Sequence, residues 1–154
     1  MADNPPGWTL GGWELALLEE QRVAHLATVD ADGQPSALPV VYAFDGERVL
    51  IPLDGKPKRG DVRELRRVRD IAANPQVALV VDRYADDWSR LAWVQIRGRA
   101  ALLESGPAYE RGLALLRGRY PQYAAVPLDG RPLIAITPTE VRSWRAHPSG
   151  SFEC

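Results

Sequence analysis

Lysine is almost missing from this chain: Lys56 and Lys58 stand against 17 arginines. Cysteine is rarer still. Cys154 is alone, so no internal disulfide can form, and no CxxC or Cys/His cluster offers zinc its ligands. His25 and His147 are far apart and lack ligand spacing, so no metal is expected. No apolar run approaches the roughly 18 residues of a membrane span. The opening "MADNPPGW" has neither the basic nor the apolar stretch of a leader. A cytoplasmic protein with no membrane partner is expected. Excess charge is lacking too. A formal net charge of −1 gives no global field to attract nucleic acid, so any cationic site has to be local. GxSxG, P-loop and GxGxxG motifs are absent, which removes support for nucleophilic catalysis and for Rossmann-type dinucleotide binding. Paired carboxylates occur only in turns, so hydrolase chemistry is not indicated.

What is present is an ordinary globular composition, 45% apolar and 25% charged, in 154 residues. That is enough for one domain, 1–154, with a core that needs no disulfide or structural metal. Residues 1–12 and 147–154 are expected to be flexible. Helical spacing predicts a short helix over 13–22, and the period then changes. "VAHLATV" reads as a strand apolar on both faces, "DADG" as a turn and "PSALPVVYAF" as the return strand. "DGE" turns tightly into "RVLIPL". A helix is predicted over 61–75 with Asp61 as N-cap, and a third over 105–120 with Ser105 as a possible cap. Strands are predicted over 76–84 and 91–104, with Gly98 marking a bulge or bend. The stretch 131–146 reads as one long strand, or as two broken at Pro138. The predicted fold is therefore α+β, a mostly antiparallel six-stranded barrel with about three flanking helices. Strands apolar on both faces would fill the interior on one side and meet helices or a second subunit on the other.

Three stretches could carry function. Pro39 sits inside a strong strand, where its missing N–H suits an edge, a bulge or a backbone facing something other than a strand. "ALPVVY" then either is a plain edge strand or lines a crevice for a planar ring. Pro52 repeats the signal one strand over. Secondly, Lys56, Lys58 and Arg59, with Arg63 just beyond, precede a helix start, a place that attracts anions. A solvated charged loop is the alternative, against which the scarcity of lysine elsewhere argues. Thirdly, Trp88 stands in the turn "DDWSR", an odd place for a large apolar group unless it covers a ligand or a subunit partner. Trp93 reads as core, and His25 as a buried, satisfied histidine. Arg66, Arg67 and Arg69, balanced by Asp61, Glu64 and Asp70, read as a solvated face, so no nucleic acid is expected.

The stretches "VAHLATVDADGQPSALPVVYAFDG", "KPKR" and "LRRVRDIAANPQVALVVDRYADDWSRLAWVQIRGRA" resemble the pyridoxamine 5′-phosphate oxidase-like split β-barrel superfamily. Within it they are most similar to the deazaflavin-dependent branch, which uses coenzyme F420. The resemblance implies a homodimer with two cofactor sites at the interface between barrels. It implies a flavin-like ring against Leu38, Pro39, Val40, Val41 and Pro52. The phosphate would be held by Lys56, Lys58 and Arg59, with Pro57 between the lysines, and Trp88 of the partner subunit would sit near the cofactor. The pyridoxal-phosphate-binding residues and C-terminal signature of the vitamin B6 oxidases are missing, so vitamin B6 oxidation is not implied.

The expected activity is that of an oxidoreductase passing hydride between coenzyme F420, or FMN as the alternative, and a small electron-poor organic substrate. No side chain is assigned as general acid. A protein that stores cofactor without catalysis would carry the same loop.

Overall fold

The computed structural model describes residues 7–53 and 61–147. Helix α1 (Gly12–Glu20) is followed by strands β1 (Ala24–Val29), β2 (Pro35–Val40), β3 (Ala43–Phe44) and β4 (Val49–Pro52). A 3-10 turn (Val62–Glu64) precedes α2 (Arg66–Ala73) and β5 (Gln76–Arg83). A second 3-10 turn (Trp88–Arg90) leads into β6 (Ala92–Leu103), then α3 (Pro107–Arg119), a third such turn (Pro121–Ala124) and β7 (Leu133–Arg145). The strands form one curled antiparallel sheet in the order β2-β1-β5-β6-β7-β4-β3. This is the expected α+β split barrel with three flanking helices.

Its seven strands exceed the six predicted because the return strand breaks at Val41–Tyr42. There the ladder gives way to a side chain: Tyr42 N–H donates to the Tyr120 hydroxyl at 3.1 Å, and that hydroxyl lies 2.9 Å from Tyr42 C=O. β7 runs unbroken through Pro138. The β6–β7 register passes from Gly98 opposite Pro138 to Arg97 opposite Glu140, so Thr139 is the extra residue of a bulge. The predicted helix over 61–75 is two pieces, because Leu65 adopts an extended ψ of 140° between the 3-10 turn and α2. Asp61 caps the first piece, accepting from Arg63 N–H at 3.1 Å. Ser105 caps nothing: the N-cap of α3 is Gly106 at φ 97°.

Strand alternation sorts the residues into two faces. On the inner face Leu26, Leu79 and Ile96 stand opposite one another on β1, β5 and β6, each at most 2% exposed. Leu17 and Leu18 of α1 and Val68 and Ile71 of α2 close over this core. Each such side chain contributes roughly 1.5–3 kcal/mol by leaving water. A second cluster lies on the other side of the sheet, where Tyr109, Leu113 and Leu116 of α3 cover Leu50 of β4 and Leu133 of β7. Among the described residues the outer face of β1, β5 and β6 has no such cover, and Ala27, Val80 and Trp93 there are half-buried. Trp93, expected in the core, thus lies on the outer face opposite Trp144. Among the described residues no helix is long and apolar enough to cross a membrane.

Candidate functional site

A cleft of about 250 Å³ opens where the end of β2, the end of β4 and α2 meet; it is lined by Val23, Pro39, Val40, Val41, Pro52 and Arg67. The two prolines can sit there because neither is asked for a ladder hydrogen bond on its free side. β2 is the last strand of the sheet, so Pro39 has one strand neighbour, with His25 as its register partner. Pro52 pairs with Leu133 on one side, while on the other β3 reaches no further than Leu50. The wall is thus made of ring and branched-chain carbons with little free N–H.

Arg67 enters the cleft because of how α2 is pinned. Asp70, 5% exposed, accepts a 2.9 Å hydrogen bond from the Thr28 hydroxyl on β1. Arg66 lies 3.9 Å from both Asp70 and Asp30 on the solvent side. With Asp70 held against β1 and Val68 and Ile71 turned into the core, Arg67 is half-buried while Arg66 and Arg69 stay in water. The balanced charges of this segment suggested a solvated face, and Arg67 departs from it. A helical wheel anchored on Val68 and Ile71 separates Arg67 from its neighbours, but sequence does not say what lies opposite.

The structure brings Pro39, Val40, Val41 and Pro52 together in this cleft. Leu38, 40% exposed, and Trp88, 54% exposed, lie outside its lining. Trp88 sits in a turn fixed by Asp87, whose carboxylate accepts from Ser89 Oγ at 2.6 Å and Ser89 N at 3.1 Å. Those bonds, the hydroxyl first, hold the Asp87 pKa below the ordinary carboxylate value. Lys56, Pro57, Lys58 and Arg59 lie outside the described residues. Arg63, counted with them as part of one basic cluster, is committed elsewhere: it pairs with Glu104 and, at 2.9 Å, with Asp61. The bond from Arg63 N–H is the first cause of a lowered Asp61 pKa. His25 is not the buried histidine expected. Its side chain is 56% exposed and stands 4.0 Å from Asp82, because its strand position faces outward.

Among the described lining residues there is no serine, cysteine, histidine, lysine or carboxylate. The cleft can hold a flat apolar body with an electron-rich edge or anionic tail at Arg67, and it offers no nucleophile or general acid of its own.

A family model described as pyridoxamine 5′-phosphate oxidase matches residues 14–145. The chain is 36% identical over 94 residues to a 5a,11a-dehydrotetracycline/5a,11a-dehydrooxytetracycline reductase of Streptomyces rimosus, an alignment covering 60% of this chain and 63% of that protein. Among solved structures, a conserved hypothetical protein of Mycobacterium tuberculosis superposes with a TM-score of 0.72 at 22% identity, over 95% of this chain and 91% of the other. A FAD-binding protein of Mesorhizobium loti gives 0.61 at 21% identity, over 87% and 92%. At such identities the two structures establish the shared fold, and the family match spans every strand of the sheet. The chain belongs to the pyridoxamine 5′-phosphate oxidase family.

Proposed function

We propose that this protein binds a flavin-type ring in the cleft, coenzyme F420 with FMN as the alternative. It would pass hydride between that ring and a small electron-poor organic molecule, at a site shared by two copies of the chain. One observation carries the reading: the cleft pairs two strand prolines with a guanidinium and supplies no acid, base or nucleophile among its described lining. Such a site holds and orients a reactive group that brings its own chemistry, and hydride transfer is what a bound flavin-type ring supplies.

The chain's own contribution is binding. Pro39, Val40, Val41 and Pro52 form an apolar rest for the ring, and Arg67 presents a cation to its carbonyl edge or to its acidic tail. Lys56, Lys58 and Arg59, flanking Pro57, hold the phosphate. Connectivity favours this, since Lys56 is four residues beyond Pro52 and four residues of extended chain span at most about 14 Å. Ligand pockets usually enclose about 300–1,000 Å³. At about 250 Å³ the cleft of one chain is smaller than that, which favours completion by a second copy. Leu38 and Trp88, both exposed, are then surfaces for the partner. The Streptomyces rimosus relative is named as a reductase, which supports reduction of the organic molecule as the working direction.

The test is titration of the apoprotein with each cofactor separately, followed by quenching of tryptophan fluorescence. Saturable binding is expected, tighter for coenzyme F420. Replacing Lys56 and Lys58 together by alanine should weaken it by about 1–3 kcal/mol per lost charged contact, with an unchanged melting temperature. Mixing the reduced complex with conjugated enones and quinones should then reoxidise the cofactor at an acceptor-dependent rate. Tight binding with no acceptor-dependent oxidation would assign the protein to cofactor storage, and failure to bind either cofactor would overturn the reading.

A further inference from the structure

A second and larger concavity lies between α1 and α3, about 1420 Å³ in volume, and it shares no lining residue with the cleft. Two helical faces form its sides. On α1 they are Gly12, Leu15, Ala16 and Glu19, and on α3 Arg111, Ala114, Leu115 and Gly118, each set at the i, i+3, i+4, i+7 spacing of one stripe. Facing helices normally interdigitate. Here the small residues leave a channel, and a Cβ added at Gly12 or Gly118 would meet nothing within 4 Å. Glycine in a helix costs up to roughly 1 kcal/mol against alanine, and at Gly118 no close packing offsets it. Leu15 and Leu115 are each 41% exposed along the channel. One end is closed by Trp8 against Phe44, edge to face at 6.4 Å, and the floor holds the buried Tyr42.

The charges around this apolar channel do not cancel. Arg22, Arg111 and Arg119 line it, as do Glu19 and Asp45. Glu19 lies 3.8 Å from Arg119. Asp45 is spent on its own turn, accepting from Glu47 N at 2.8 Å and Arg48 N at 2.7 Å. Among the described residues neither Arg22 nor Arg111 pairs with a carboxylate, but Arg22 already donates to the Arg119 carbonyl and lies 5.9 Å over the Tyr120 ring, which leaves Arg111 as the cation turned to a ligand. Three guanidinium groups against two carboxylates leave an excess of one positive charge, and an apolar trough with that excess and aromatic rings beside it is complementary to an apolar body bearing a single anionic head.

We infer that the α1–α3 groove is a second ligand site, for an amphipathic monocarboxylate. The head is held by Arg111, and the apolar body lies between Leu15 and Leu115 toward Trp8 and Phe44. This site is independent of the flavin reading, and failure of either leaves the other standing.

Decanoate is a suitable probe below its micelle concentration, compared by calorimetry with decan-1-ol as the neutral body and acetate as the bare head. Saturable one-to-one decanoate binding is expected, at least tenfold tighter than either control. Arg111→Glu should weaken it tenfold or more, and Leu115→Trp, which fills the trough, should abolish it. Both positions are exposed, so both variants should melt like the parent; should Arg111→Glu unfold, Arg111→Gln carries the same comparison. Absence of saturable binding, equal affinity for decanol, or an Arg111 variant that binds like the parent would each overturn the assignment. So would a fall in sedimenting mass in Leu115→Trp, which would make the groove an interface between copies.

Discussion

Arg119 shows how one side chain can close three elements together. Its Nη atoms donate to the carbonyls of Leu18 at 2.8 Å, Glu19 at 2.9 Å and Gln21, the C-terminal carbonyls of α1 that no helical N–H can reach. The same guanidinium stacks over Tyr42 at 5.0 Å and Tyr120 at 5.4 Å, and its Nε donates to the Tyr120 hydroxyl at 3.1 Å. A positive charge at a helix C-terminus also suits the macrodipole. Arg119→Ala should therefore destabilise the fold by about 2–4 kcal/mol, and Arg119→Lys by less, as read from urea midpoints. Tyr42 adds a pH dependence. Its hydroxyl lies 2.6 Å from Leu18 C=O and 2.8 Å from Gln21 C=O, and burial pushes its pKa well above the ordinary tyrosine value, the nearby Arg119 offsetting part of the rise. Below about pH 10 folded and unfolded chains both keep this proton. Above it the unfolded chain ionises while the native state resists, so the unfolded state binds fewer protons and stability falls as pH rises. Tyr42→Phe should be about 1 kcal/mol less stable at pH 7, and its stability should fall less steeply between pH 9 and 11.

At the scale of elements, Gly98 decides whether β6 and β7 can share a long register through a bulge. A Cβ there would lie 2.3 Å from the Thr137 carbonyl oxygen, a backbone atom that cannot swing away. Gly112 in α3 is also tight, but its clashes at 2.8 and 2.9 Å are with the Cδ1 ends of Leu50 and Leu133, which can turn. Gly98→Ala should cost about 3 kcal/mol and Gly112→Ala clearly less, a difference that paired denaturation curves will read. The bulge was legible in the sequence, because glycine inside an otherwise apolar strand pattern has few other uses. The alternation of β1 was not legible: "VAHLATV" reads as apolar on both faces, whereas only its inner face is buried and the other is exposed or half-exposed. Neither was the break at Val41–Tyr42: "PSALPVVYAF" is unbroken strand-forming sequence, and its interruption comes from Tyr120, 78 residues away. The candidate site divides in the same way. Pro39 and Pro52 announce themselves because a strand has no ordinary place for proline. Arg67 is hidden among neighbours of like charge, and its place in the cleft depends on the buried contact between Asp70 and Thr28. The burial expected of His25 failed because apolar flanks on a strand do not reveal which face a helix will cover.

Across the whole molecule, cover is uneven. α1 and α2 close the interior and α3 covers the outer face at β4 and the start of β7. The outer face of β1, β5 and β6 interleaves half-exposed Ala27, Ala78, Val80 and Trp93 with Gln95 and the exposed His25, Asp82 and Arg97, and Trp93 stands opposite Trp144 on β7. Such a mixed apolar and polar face has the make-up of a non-obligate interface between copies, and it runs up to Pro39 at the cleft through the register partners Val80, His25 and Pro39. Association through this face would bring the cleft of one chain to the rim of the other, which is what a half-enclosed ring requires. Val80→Arg places a charge in the middle of the face without touching the inner core or the cleft lining. By sedimentation the parent should run at twice the 17.0 kDa chain mass, and Val80→Arg at the chain mass with an unchanged far-ultraviolet spectrum. If the cleft is completed by the second copy, the same variant should lose cofactor affinity by an order of magnitude or more while Arg67 and the lysines remain in place. A monomeric parent, or a monomeric variant that binds cofactor as tightly as a dimeric parent, would show instead that each barrel holds its ring unaided.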